Sequence, residues 1–209
     1  MIPGREAEPA VARELFGERI ELARAFAENL FSEGELRGLI GPSEPSRLWS
    51  RHILNCVLVS RAIDSGYVGD VGAGAGFPGL VLAIARPDLD VALIEPMERR
   101  CEWLQEQIDS LDLSNAHVFR GRAEDVALQE KLDVVTARAV RALKGLIPLV
   151  TPLLRPGGSL ALIKGASADR EIAEAAKQIK SAKLVDVRVD VFTASGLDEP
   201  TRVVRATVI

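Results

Sequence analysis

Apolar residues recur at helical spacing over the first third of the chain and in short bursts over the rest. Leu15, Phe16, Ile20, Ala23, Phe26, Ala27, Leu30 and Phe31 fall on one side of a helix, so an amphipathic helix is expected there. Gly34, Gly38, Gly41, Pro42 and Pro45 then break the pattern and predict a loop with at most a helical turn. A second helix is predicted from Leu48 to Ile63, with Trp49, Ile53, Cys56 and Val57 on one face. No strand pattern precedes Tyr67. Beyond it, strands entered at Tyr67, Asp90, Ala116, Leu132 and Ser159 alternate with helices over Met97 to Leu111, Leu143 to Leu154 and Asp169 to Lys180. Two closing strands, Leu184 to Phe192 and Arg202 to Ile209, have no helix between them and predict an antiparallel hairpin.

Repeated strand–helix units imply a mainly parallel sheet with helices on both faces. The chain reads as one α/β domain over residues 1–209, with a helical extension at 1–65 and a core at 66–209. A 47% apolar and 27% charged composition fits a soluble globular protein. The absence of any run of 18 apolar residues argues against a membrane span. The N-terminal segment lacks the apolar core of a signal peptide, so a cytoplasmic location is expected. Cys56 and Cys101 belong to no CxxC pair and are expected to be buried, reduced thiols. With only His52 and His117 as histidines, no metal site is expected. The net charge of −4 excludes a surface coated in nucleic-acid-binding charge, yet leaves room for a local basic face.

The densest chemical signal is Gly69-Asp-Val-Gly72-Ala-Gly74-Ala-Gly76-Phe-Pro-Gly79, with five glycines in eleven residues between a strand and a helix. Such a turn brings backbone N–H groups against a nucleotide-like ligand. Gly74 to Gly79 matches the dinucleotide pattern G-x-G-x-x-G, so a nicotinamide cofactor is one reading. Three details favour S-adenosylmethionine instead. The glycines start at Gly72 behind Asp70, and a carboxylate there suits a cationic ligand group better than a pyrophosphate. Pro78 removes one phosphate-binding N–H. The closing hairpin is that of S-adenosylmethionine-dependent methyltransferases. Asp70, Gly72, Gly74 and Gly76 are thus expected around the cofactor, with Glu95, at the end of the second strand, accepting from ribose hydroxyls.

Over nearly its whole length the chain also resembles the bacterial 16S rRNA guanine-N7 methyltransferases of the glucose-inhibited division protein B type, in their actinobacterial form. The resemblance is carried by Arg47-Leu-Trp-Ser-Arg51-His52-Ile-Leu-Asn55-Cys56, by the glycine loop, and by Gly121-Arg122-Ala123-Glu124, Ala137-Arg138-Ala139 and Ile163-Lys164-Gly165. It implies a class I S-adenosylmethionine-dependent methyltransferase fold: a Rossmann-like, seven-stranded, mainly parallel sheet closed by the antiparallel hairpin. It further implies methylation of N7 of a guanine in the 530 loop, on 16S rRNA or the 30S subunit; the oligomeric state is left open, with a monomer favoured. Gly72, Phe77, Ala123, Glu124 and Arg138 correspond to cofactor-binding positions of the family.

Guanine N7 has a free lone pair and no proton, so no catalytic general base is assigned. Alignment of nucleophile, methyl carbon and sulfur is the task left to the protein. Arg138, on the carboxyl edge of the sheet, suits either the methionine carboxylate or an RNA phosphate. Lys164 with Gly165 is expected to meet RNA phosphate. Arg47, Arg51 and His52 form the other wall of a cleft that Arg141 and Lys144 extend, unless His52 only packs within its helix.

Overall fold

In the computed structural model, which describes residues 4–209, seven strands form one sheet in the order β3-β2-β1-β4-β5-β7-β6. Residues 1–3, the start of the segment read above for a signal peptide, lie outside the described residues. The strands are β1 (Gly66–Val71), β2 (Leu89–Glu95), β3 (Ala116–Arg120), β4 (Leu132–Arg138), β5 (Leu154–Lys164), β6 (Leu184–Phe192) and β7 (Thr201–Val208). All neighbours pair in parallel except β5 with β7 and β6 with β7. The expected parallel sheet and closing hairpin are therefore present.

Alternate residues of the inner strands serve two cores, as the period of two in a strand dictates. Val91, Leu93, Ala161 and Val203 face one side, where they meet α4 (Gly79–Ala85), α5 (Glu98–Ser110) and the N-terminal helices. Ala92, Ile94, Leu160, Leu162 and Val204 face the other, against α6 (Leu143–Val150), α7 (Ala168–Glu174) and α8 (Ala176–Ser181). Fully burying a Leu or Ile side chain contributes roughly 1.5–3 kcal/mol, so these two layers hold the sheet edge that carries the site. Cys56 and Cys101 are both buried and unpaired. No helix among the described residues is long and apolar enough to cross a membrane.

The N-terminal helices depart from the expected pattern in an instructive way. The first amphipathic stretch is two helices, α1 (Val11–Phe16) and α2 (Ile20–Glu33), joined by a 3-10 turn over Gly17–Arg19. That turn lets Arg19 Nε donate to the Ile84 carbonyl at 3.1 Å, a tertiary contact that periodicity does not show. The second stretch is a π-helix over Leu48–Leu54, one α-turn, α3 (Asn55–Val57), and a 3-10 turn over Leu58–Ala62. Its first buried residues, Leu48, Trp49, Ile53 and Leu54, repeat at a step of five, which a π-turn and not an α-turn places on one face. Ser50, Arg51 and His52 are thereby left off that buried face. Arg86, just past α4, donates to the carbonyls of Ile63 at 2.9 Å and Asp64 at 2.7 Å, tying the extension to the core.

Two smaller differences lie near β5. It begins at Leu154 rather than Ser159, because Arg155 Nε holds the Asp133 carboxylate at 2.5 Å and carries the pairing across an irregularity between Leu132 and Val134. The last predicted helix breaks at Ala175 into α7 and α8.

Candidate active site

Strand order reverses between β1 and β4, and the loops beyond their carboxyl ends meet there, where ligands of open α/β sheets bind. Gly72 and Ala73 continue β1 by donating to the Ile94 carbonyl at 2.8 and 3.2 Å. Glu95, only 2% exposed, is gripped by two backbone donors: Gly74 N–H at 3.0 Å and Met97 N–H at 2.9 Å. Gly74 sits at a φ of +57°, and a Cβ there would meet nothing closer than the Gly72 oxygen at 3.7 Å. Its missing side chain is thus open space above the loop.

Gly79 is glycine for another reason. A Cβ there would stand 2.3 Å from Leu93 Cδ2 and 2.7 Å from Asp70 Oδ2. Without it, Asp70 Oδ2 accepts the Gly79 N–H at 2.7 Å from a fully buried position beneath the loop. This corrects the expectation that Asp70 faces a cationic part of a ligand: its carboxylate holds the start of α4. Burial pushes its pKa up to about 7, against the Gly79 N–H and the Arg138 charge, with Glu95 adding to the rise. Gly76 also lies under the loop, since a Cβ there would stand 2.6 Å from Leu80.

Three hollows surround the reversal point. One of about 490 Å³ is lined by Gly72, Gly74, Phe77, Glu95 and Arg100, with Ile40 and Glu44 of the extension across from them. A second, of about 310 Å³, shares Gly72, Pro96 and Val140 with the first and reaches Ala123, Glu124 and Leu146. A third, of about 810 Å³, is lined by Arg51, Asn55, Arg141, Lys164, Gly165 and Arg202. His52, Arg138 and Ala139 line both the first and the third, and so form the wall between them.

The His52 and Arg138 side chains of that wall pack on Phe77. Phe77 carries the His52 ring on it at 5.2 Å between centroids and the Arg138 guanidinium at 4.7 Å from its own centroid. Phe26 of α2 meets Phe77 edge-on at 5.8 Å. Arg138 Nη2 lies 2.7 Å from His52 Nδ1, and Nη1 lies 3.3 Å from the Arg51 carbonyl. His52 Nε2 meets the Glu44 carboxylate. A guanidinium has only donors, so His52 Nδ1 accepts and the ring proton sits on Nε2, where it is given to Glu44. Burial, with the charge of Arg138 behind it, lowers the His52 pKa to about 4, so the ring is neutral near pH 7. Packing within the helix and lining the site are both true of His52.

The basic cleft is less free than its composition promises. Lys164 Nζ pairs with Glu171 at 3.0 Å and donates to the Arg141 carbonyl at 2.7 Å, and its side chain is 9% exposed. Glu171 also accepts the Leu143 N–H at 3.0 Å. Lys164 therefore clasps the loop after β4 instead of presenting an open charge. Arg47 pairs with Glu44 at 2.5 Å and faces a neighbouring hollow with Arg51 and Asn55. Lys144 is exposed and does not line the cleft. Arg51 and Arg141 are exposed on its rim.

These residues fit an S-adenosylmethionine-like cofactor. Gly74 leaves a cradle that a side chain would fill, and Glu95 keeps acceptor capacity beside its two backbone donors. The pocket at Ala123 and Glu124 offers apolar walls from Val71, Ile94 and Leu149 with a carboxylate at the rim. Sequence reasoning missed Glu44, Arg100, Ala139, Val140 and Arg202. Glu44 stood in a segment dismissed as a loop. Ala139, at a φ of +56°, adopts a conformation rare for a residue with a Cβ, which no pattern signals. Val140 covers Gly72, whose Cβ would stand 2.9 Å from it.

Comparisons with known proteins agree with this geometry. A family model described as rRNA small subunit methyltransferase G matches residues 19–199. A ribosomal RNA small subunit methyltransferase G from Clavibacter sepedonicus is 58% identical over 97% of this chain and 96% of its own. Another, from Arthrobacter sp., is 52% identical over 100% and 97%. Among solved structures, the apo form of the S-adenosylmethionine-dependent methyltransferase SibL superposes with a TM-score of 0.64 at 16% identity, covering 95% of this chain and 71% of that one, a likeness of fold. A chain with this site, this sheet and these relatives belongs to the rRNA small subunit methyltransferase G family.

Proposed function

We propose that this chain transfers the methyl group of S-adenosylmethionine to N7 of a guanine in the 530 loop of 16S rRNA. The observation that carries the reading is the single wall of His52, Arg138 and Ala139 between a glycine-lined cavity and a basic cleft. The two cavities adjoin at these residues, so a donor in one and a guanine in the other would come into contact along their edge. When bound, S-adenosylmethionine supplies a methyl carbon made electrophilic by a sulfonium. The pocket at Ala123 and Glu124 would hold the adenine, Glu95 would accept from the ribose hydroxyls, and Gly72 and Gly74 would line the methionine part. Arg138 meets the donor carboxylate with the N–H groups it does not give to His52 and Arg51. Asp70 acts from below by holding the loop in place.

No side chain needs to take a proton from the guanine, since N7 carries none. The protein's contribution is alignment, worth on the order of 7–11 kcal/mol of barrier in favourable cases. Arg51, Arg141 and Arg202 meet phosphates along the cleft, and their dispersal among acids reconciles an acidic protein with an RNA substrate. Of the exposed large hydrophobics among the described residues, Met97 and Val140 line the donor cavity while Leu36, Val191 and Ile209 lie outside it, a pattern that supports action as a monomer.

The test is to incubate the protein with radiolabelled S-adenosylmethionine and small ribosomal subunits from cells lacking this methylation, then map the label. Label at one guanine N7 of the 530 loop is expected. Label absent from 16S rRNA overturns the proposal.

A further inference from the structure

We propose that Glu44 is a positioning residue for methyl transfer, one that fixes the tautomer of His52 and through it the Arg138 guanidinium in the wall between the two cavities. The inference rests on the function proposed above and deepens it. It assigns to the glycine- and proline-broken segment of the extension a task in the chemistry of the core.

The argument is one of donors and acceptors. The imidazole has two edges, and one of them faces Arg138, which can only donate. If the ring proton sat on Nδ1, two donors would oppose each other at 2.7 Å. A doubly protonated ring would do the same with a full charge added. The ring is stacked on Phe77 with its side chain 12% exposed, so its two nitrogens are met chiefly by protein groups. Every charged group set against it is accounted for: Arg138 and Arg51 oppose protonation, and Glu44 favours it. Glu44 is the one acceptor at Nε2, and it draws the proton to that edge. The lone pair is then left on Nδ1 for Arg138.

Glu44 is itself made a reliable acceptor. Arg47 Nη2 holds its other carboxylate oxygen at 2.5 Å, and the contacts with Arg47 and His52 bring its pKa down to about 2 in spite of its burial. It is therefore ionised near neutral pH. The order of action runs Arg47, Glu44, His52, Arg138, from the extension to the carboxyl end of β4. Glu44 also lines the donor cavity directly. A direct contact with the donor is therefore the rival account, and the experiment separates the two.

The chain has only two histidines, so the ring nitrogens of protein labelled with 15N-histidine can be assigned with a His117→Gln control. In the wild type, His52 is expected neutral near pH 7, protonated on Nε2 and accepting on Nδ1. In Glu44→Ala the Nε2–H signature should give way to a mixture of tautomers, while Glu44→Asp keeps it in part. By calorimetry, Glu44→Ala should raise the dissociation constant for S-adenosylmethionine about tenfold, the effect of loosening one charge-assisted contact. Glu44→Asp should recover much of the loss. The double variant Glu44→Ala/His52→Ala should be no worse than His52→Ala alone, because both changes cut the same chain of contacts.

Multiplying effects in the double variant, or an unchanged His52 tautomer in Glu44→Ala, would overturn the proposal in favour of direct contact or of no role. Melting curves of each variant identify any that fails to fold, and the nuclear resonance measurement on Glu44→Asp then carries the decision. A wild type that labels no 16S rRNA would refute the proposed function while leaving the tautomer result standing, so the two failures are distinct.

Discussion

The donor cavity and the acceptor cleft lie on two sides of one arginine, yet they are built on opposite plans. One side of the donor cavity comes from consecutive units of the sheet, namely the loop after β1, the end of β2 and the first turn of α5, and it is faced by Ile40, Glu44 and His52 of the extension and by Arg138 to Val140. Its key acid, Glu95, is held by backbone N–H groups of that same loop and strand end. The acceptor cleft is assembled from a π-helix, the ends of β4 and β5, and the start of β7. Its polar groups are held by side chains far away in sequence, as Arg138 is by His52 and Lys164 by Glu171. A site held by backbone tolerates change in its side chains and fails when a glycine is filled. One held by side chains fails when a partner is removed.

Filling the glycine gives the largest effect. Gly74→Val puts a branched side chain into the cradle at a φ that L-residues rarely adopt. S-adenosylmethionine affinity by calorimetry should fall about a hundredfold or more, equivalent to roughly 3 kcal/mol. Unchanged affinity would show that the donor does not approach this loop.

Removing the wall comes next. Arg138→Ala should lower single-turnover methylation on the order of a hundredfold, the cost of misplacing reactants by about an ångström. Circular dichroism should stay as in the wild type, because Arg138 is only partly buried.

Lys164→Ala should cost about tenfold in turnover through a loosened loop after β4, since a group positioned at a distance matters less than one in the wall. Lys164→Ala/Glu171→Gln should restore part of it by removing the unpaired carboxylate. If Lys164 instead met RNA directly, the second change would restore nothing.

The smallest net effect in the wild type is on the pH dependence of stability, where two contributions have opposite signs. Asp70 has a folded pKa raised from 3.8 to about 7, so the folded state holds an extra proton in that window and stability falls as pH rises through it. His52 has a folded pKa lowered from 6.5 to about 4, so the unfolded state holds the extra proton and stability rises with pH over that span. In the wild type the two largely offset one another. Asp70→Asn should therefore unmask a stability that climbs between about pH 4 and 6.5, and His52→Gln one that declines between about pH 4 and 7. Denaturant melts across pH would show both, and parallel curves for the two variants would refute the assignment.

Legibility in the sequence followed the same division. The strands, their order of appearance, the closing hairpin and the glycine loop were all readable, because each depends on residues close together in the chain. The place of Glu95 at the end of β2 was readable for that reason too. The roles of Asp70 and Lys164 were not: a carboxylate beside a glycine loop and a lysine at a strand end look the same in sequence whether they face a ligand or a neighbour. Burial turned Asp70 toward the Gly79 N–H, and Glu171, reached only through the packing of α7, claimed Lys164. The π-turn of Leu48–Leu54 was present as a step of five between apolar residues, a spacing that a search at three and four passes over.

The order of apolar and polar residues by itself determined an α/β sheet with a ligand loop after its first strand, since local propensity and periodicity act over a few residues. Its motifs also determined the family. Only the tertiary structure decided that the helical extension supplies His52 to the wall between the two cavities. Glu44, His52, Phe77 and Arg138 lie far apart along the chain. Their hydrogen bonds and stacking form only when two cores, one on each face of the sheet, bring those segments together.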